Sequence, residues 1–438
     1  MKPFILFKKL QEFIKIAAIN LIVLFLCLEG GFLLLYYLKN KQLFYTRKSS
    51  ENYQELGLNL EGVRLGESIV ERLHPFFGYV QRPGPDFRPN FKTNNYGFIS
   101  PYDYPFIKTN ENQYIIGVFG GSVASNYSIY EIQNKILETQ LKQIPALKNK
   151  EIIILSLATG GYKQPQQLLV LNYMLSIDQK FDLVINIDGF NEVALSNFNN
   201  KYQLDFAMPS ANHILALTQL ADSSLSDKAL QALLKIKQTK PKLEPAIQQL
   251  QNCQLASCYG FRSLQLQLLL QDYRQQIERF ERYRTKSDGK GIEDSILYFY
   301  VQPKPLATKE LFEQITNHWV ETSKLMRDTL AAENIPYFHI LQPNQYYQTQ
   351  RVFSAAEQQI AWSEDSPYDK AVRQGYPLLI EQINQLKAEN INILNAVTVF
   401  DQTSEIVYID DCCHYNPVGE KIFSDGVADF IVNTLKNN

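Results

Sequence analysis

The chain carries no excess of charge of either sign: 43 Lys and Arg face 45 Asp and Glu, a formal net charge of −2 in 438 residues. A nucleic-acid partner would need a basic field, and this balance supplies none. Histidine and cysteine are scarce, at five each. Zinc sites normally draw ligands from two separated Cys/His pairs, and Cys253 and Cys258 have no histidine nearby to form a second one. No Gly-Lys-Ser/Thr follows the Gly120-Gly121-Ser122 turn, which excludes a phosphate-binding loop. Ala124 stands where a Gly-x-Ser-x-Gly elbow would place its second glycine. No internal repeat is present, and no cofactor or metal is expected.

What is present begins with one long apolar run. Residues 16–38 are almost continuously apolar and end in Tyr36-Tyr37. As a helix rising about 1.5 Å per residue they would cross a hydrocarbon layer about 30 Å thick. No Ala-x-Ala cleavage site follows, so the run reads as an uncleaved signal anchor behind a short tail, residues 1–15. The bilayer is therefore an expected partner. Lysines and arginines flank both ends almost equally, so the expectation that the large following domain is exported, to a periplasmic or other extracytoplasmic side, rests on the order of segments. Glu29 lies inside the run, before Gly30-Gly31. It reads either as a helix-pairing or functional carboxylate or as a protonated Glu near a leaflet boundary.

Beyond the anchor, Cys253 and Cys258 are close enough for a small loop disulfide, which suits an oxidising compartment. A bond between adjacent Cys412 and Cys413 would strain the backbone. One or both are expected as buried thiols, or one is bonded to a distant partner.

Residues 39–110 read as a membrane-proximal spacer and an irregular, aromatic-rich lead-in containing a short hairpin. The β-branched runs at 113–119, 151–157, 181–187, 335–341 and 391–397 alternate with amphipathic helical patterns, such as Ile129, Ile132, Ile136 and Leu137. That alternation predicts an α/β domain over 111–438 with a five-stranded parallel sheet covered on both faces. A mostly helical insertion interrupts it at about 196–310. Leu266, Leu269, Tyr273, Ile277 and Phe280 form one stripe there, suited to packing on a neighbouring helix. The run at 295–301 fits a strand, but Pro303 and Pro305 follow it.

Three polar turns fall at the carboxyl ends of the first three strands. Ser122 sits where strand passes into helix, Gly160-Gly161 end the second strand, and Asn191 follows the third. Each has an ordinary reading: a capping serine, turn glycines, a helix N-cap. Converging, they would supply a hydroxyl and the donors of an oxyanion hole. His414 precedes the final helix, whose start is marked by Asn416 and Pro417. Asp411, three residues before it, can reach the imidazole and fix its tautomer, leaving the other nitrogen for a serine proton. His318 and His339 read as packing residues within a helix and a strand.

Together these blocks, FGGSVA, TGGYKQPQQ, DGFNE and DDCCH, resemble the SGNH (GDSL-like) hydrolase superfamily over roughly residues 74–200 and 310–438. The lead-in and anchor resemble those of membrane-attached bacterial members. The resemblance implies a three-layer α/β/α, flavodoxin-like fold. It implies Ser122 as nucleophile, Asp411 and His414 as orienter and base, and an oxyanion hole from the Ser122 and Gly161 N–H groups and the Asn191 side chain. Gly160 is the alternative to Gly161, and Asp410 to Asp411. Gly121 departs from the family's usual Asp, and Glu192 from the Asp that usually follows Asn. The expected activity is ester hydrolysis through an acyl-serine, on O-acyl (acetyl) esters of envelope or extracellular substrates. The alternatives are O-acyl transfer to a surface glycan and a non-catalytic scaffold within an envelope complex, with a membrane or envelope protein as partner.

Overall fold

The computed structural model describes residues 2–46, 71–82, 84–88, 91–218, 226–283, 298, 300–302, 304–364 and 366–437. Most of the expected spacer, 47–70, lies outside them. So does most of the run at 295–301, of which Val301 makes an isolated bridge to Leu204. The chain divides into two compact units, Glu67–Thr218 with Leu297–Asn438, and Met1–Gly66 with Gln219–Ile296.

The first of these opens with two antiparallel pairs, β1 (Glu71–His74) with β2 (Gly78–Gln81), and β3 (Gly84–Arg88) with β4 (Phe91–Thr93). Five parallel strands follow: β5 (Gln113–Gly120), β6 (Glu151–Ala158), β7 (Leu183–Asp188), β8 (Tyr337–Leu341) and β9 (Asn392–Asn395), ordered β6-β5-β7-β8-β9. Every residue of β7 and β8 is buried, which requires cover on both faces and explains why these strands are mostly apolar, apart from Asn186, Asp188 and His339. β7 begins two residues later than the sequence suggests. Asp182 closes its start by accepting the Ile115 N–H (2.7 Å) and pairing with Lys108.

Helices pack in two groups against this sheet. One comprises α2 (Ser122–Asn134), α3 (Ile136–Leu141) and α12 (Pro417–Asn437). The other comprises α4 (Gln166–Ser176), α5 (Phe190–Lys201), α9 (Thr308–Ala331) and α11 (Asp369–Ala388). The shorter α6 (Ala211–Thr218) lies on β1 and β2, and α10 (Ala355–Ala361) precedes α11. The single helix suggested by Ile129–Leu137 is two, because Lys135 takes a left-handed conformation (φ 57°) and Glu131 caps the second by accepting the Leu137 N–H. The strand order reverses at β5, with β6 on one side and β7 on the other. In open parallel sheets that crevice is where ligands bind.

The second unit is helical. α1 (Lys2–Asn40) contains the span Phe13–Lys39, long and apolar enough to cross a membrane. α7 (Asp227–Gln251) and α8 (Ala256–Tyr283) form a hairpin around Leu233, Ile236, Leu266, Tyr273, Ile277 and Phe280, so the predicted stripe packs on a neighbouring helix. A disulfide joins Cys253 and Cys258 at the hairpin turn. Ser226 closes the other end, capping α7 and donating to the Tyr283 carbonyl (2.8 Å). Glu29 takes the helix-pairing role. Its carboxylate accepts the Ala256 and Ser257 N–H groups (2.6 and 2.9 Å), the Ser257 hydroxyl (2.5 Å) and the Tyr45 hydroxyl (3.1 Å). It thereby satisfies free donors at the positive end of α8.

Candidate active site

The site is assembled from strand ends. Gly120 ends β5 at φ +141°, and a Cβ there would lie 2.1 Å from the Ile187 carbonyl oxygen. Only glycine makes that turn, and it places Ser122 as the first residue of α2. The Ser122 Oγ lies 2.7 Å from His414 Nε2, across 292 residues of sequence.

The carboxylate on the other ring nitrogen is Asp410, not Asp411. Asp410 Oδ2 lies 2.5 Å from His414 Nδ1, while Oδ1 accepts the N–H groups of Cys412, Cys413 and His414 at 3.0, 3.0 and 3.2 Å. Both acids are near enough in sequence, but the curl that points three N–H groups at one oxygen selects the residue four before the histidine. Asp411 instead contributes its backbone carbonyl, which accepts from the Tyr346 hydroxyl (2.9 Å). Burial pushes the Asp410 carboxyl up, but its bond to His414, that ring's charge and the backbone donors outweigh burial and hold it below its usual range.

The segment after β8 holds this loop. Asn344 donates to the Cys412 carbonyl (2.8 Å) and Gln345 to the Asp410 carbonyl (3.1 Å), while Tyr415 donates back to the Pro343 carbonyl (2.8 Å). No motif announced these residues. Their only sequence signal is a polar cluster directly after an apolar strand.

Asn191, near the start of α5, donates its amide to the Tyr162 carbonyl (2.7 Å) and lies against Gly121. A Cβ on Gly121 would come within 2.2 Å of Asn191 Nδ2, so any side chain at position 121 would displace that amide. The departure at Gly121 is thus tied to the position of Asn191. Gly161 joins this group through the adjacent Tyr162. Its own φ is +77°, and a Cβ there would strike His213 and the Tyr79 hydroxyl. Tyr79, on β2, donates to the Gly160 carbonyl (2.9 Å) and stacks on His213, so the lead-in seats the second turn. A Cβ on Gly160 would meet open space.

Glu192 links the second and third turns. Its carboxylate accepts the N–H groups of Gly189 (2.7 Å) and Gln164 (3.0 Å) and the Gln167 amide (3.2 Å). Burial, with the Asp188 charge, lifts its carboxyl to about 7. Burial pulls Lys163, whose ammonium donates to the Phe206 and Met208 carbonyls, down to about 7. His339 is a core residue, held between Asp188 and Ser323 at 2.8 Å each. His318 is largely buried and packs on Phe206.

Cys412 and Cys413 are free thiols 3.3 Å apart, the second buried against Ser122. Burial first, then Cys412, raise the Cys413 thiol well above its usual range, so it sits there uncharged. Their sulfurs and a His414 nitrogen lie within 4.8 Å of one another. Both ring nitrogens already face Ser122 and Asp410, so a cation held there would have to displace one of them.

No family model matches the chain, and neither does any curated protein. Among solved structures, the crystal structure of a "putative acylhydrolase" from Bacteroides fragilis aligns over 75% of this chain and 89% of its own, with 9% identity and a TM-score of 0.34. At that score the likeness carries nothing about the chemistry of this chain.

Proposed function

We propose that the chain is a membrane-anchored serine esterase of the SGNH type. The observation that carries this reading is the Ser122–His414–Asp410 relay, set at the carboxyl edge of a parallel sheet where the strand order reverses. His414 Nε2 takes the hydroxyl proton as Ser122 Oγ attacks an acyl carbonyl. Asp410 holds the Nδ1 proton and stabilises the imidazolium that forms. The Asn191 amide and the Ser122 and Gly161 N–H groups receive the developing oxyanion. The alcohol leaves with the proton from His414, giving an acyl-serine. Water, deprotonated by the same ring, then releases the acid.

The proposed substrates are O-acyl esters of envelope or extracellular molecules. Two features favour an exported catalytic domain: the span in α1 and the Cys253–Cys258 disulfide, which belongs in an oxidising compartment. Labelling by a fluorophosphonate probe tests the chemistry. The natural chain is expected to label and Ser122→Ala and His414→Ala are not; a folded but unreactive natural chain would sink the reading in favour of a scaffold. Supplying sugar hydroxyls with excess ester then separates hydrolysis from O-acyl transfer by which product accumulates.

A further inference from the structure

The face of α8 that points away from α7 changes character along its length. In its first turns Phe261, Leu264 and Leu268 are 54, 54 and 59% exposed and follow one another at helical spacing. From residue 271 onward the exposed positions are polar, among them Gln271, Asp272, Gln275 and Glu278. A helix wetted throughout has no reason to present three large apolar side chains on one side of this boundary and none on the other.

The boundary coincides with another on α1. Ala256 meets Glu29, and Gly260 and Phe261 meet Phe32, the Phe32 and Phe261 rings lying 5.1 Å apart. The two helices therefore run the same way, side by side. At about 1.5 Å per residue, α1 climbs about 15 Å from Glu29 to Lys39, where its apolar sequence ends, and α8 climbs about 18 Å from Ala256 to Leu268. With the two axes parallel, the apolar face of α8 ends within about one turn of the level where the apolar sequence of α1 ends.

We propose that the first four turns of α8 lie in the leaflet at the carboxyl end of α1, with Phe261, Leu264 and Leu268 against lipid acyl chains. This rests on α1 spanning a membrane and not on the chemistry at Ser122. The donors around Glu29 fit it. A carboxylate at membrane depth is costly unless its hydrogen bonds are supplied from within the protein, and four are supplied here. Arg262 and Gln265, two exposed polar residues beside the stripe, satisfy one another in part, the guanidinium donating to the Gln265 side-chain oxygen (3.0 Å).

The test uses the full chain in phosphatidylcholine vesicles with brominated acyl chains, which quench tryptophan on contact. Emission from Trp319 and Trp362 in the natural chain is subtracted. Leu264→Trp is expected to lose about half of its added emission, as the mid-span control Leu21→Trp does, whereas Gln275→Trp keeps its own. Phe261→Trp, a milder change, repeats the measurement if Leu264→Trp folds poorly. Added emission from positions 261 and 264 that survives like that from 275 would overturn the proposal. Dimers cross-linked through this face would also overturn it, because a second copy would then cover the stripe. An unquenched Leu21→Trp would remove the span, and the proposal with it.

Discussion

Asp410 in the loop before α12 and Glu29 in α1 are carboxylates used the same way to different ends. Each gathers backbone N–H groups that would otherwise lack partners: three converge on Asp410 Oδ1, and two at the start of α8 reach Glu29. They differ in what else each carboxylate does. Asp410 turns its second oxygen to an imidazole, so in the proposed mechanism the chain it organises becomes a proton relay. Glu29 adds only hydroxyls, from Ser257 and Tyr45, and what it organises is an anchorage. A carboxylate that collects donors is thus a folding device first. It becomes part of a reaction only where a titratable ring stands on its free oxygen.

Substitutions can break this parallel, in descending order of effect. Asp410→Asn is expected to lower the rate of ester turnover by roughly 10³- to 10⁴-fold, through loss of the ring's orientation and charge. Asp411→Asn should change it by less than about threefold. Steady-state rates on a nitrophenyl ester measure both, and equal losses would dissolve the distinction between the two acids. Glu29→Ala should leave that rate unchanged and cost the helical unit about 1–3 kcal/mol, because the amino-terminal donors of α8 lose their acceptor. Denaturation in detergent micelles, followed by helical circular dichroism, reads that loss.

Glu192 is a third donor-collecting carboxylate, and its contribution depends on pH. Its folded pKa, about 7, lies above the unfolded value of about 4.3. The folded state therefore keeps a proton that the unfolded state releases, and stability falls as pH rises across that interval. In Glu192→Gln this contribution should vanish, flattening the dependence of the unfolding midpoint between pH 5 and 7. The smallest effect belongs to Cys412→Ser, expected to change turnover by less than about twofold, since the Cys412 side chain neither orients His414 nor faces Ser122.

How far the sequence discloses this arrangement depends on whether an interaction is local. The strand ends carrying Ser122 and Asn191 announce themselves by apolar runs stopping at small polar residues. His414 is placed by the helix start at Pro417. The Cys253–Cys258 bond is legible because only a short loop separates the two. Choosing Asp410 over Asp411 is harder, because either acid reaches the ring along the chain. The choice is made by a curl held from Asn344, Gln345 and Tyr346, about 65 residues away and without any motif. The backbone donors that Glu29 collects lie 227 and 228 residues downstream. An acid in an apolar helix signals that a partner exists, but nothing near it in sequence says which.

The meeting of Ser226 with the Tyr283 carbonyl has a consequence for how the chain is assembled. That bond, 2.8 Å long, brings the two ends of the α7–α8 hairpin together. A hairpin whose ends meet can be lengthened or shortened at the cost of little more than a loop closure, which grows only slowly with loop length. The reach of the hairpin can therefore change while its two ends stay together.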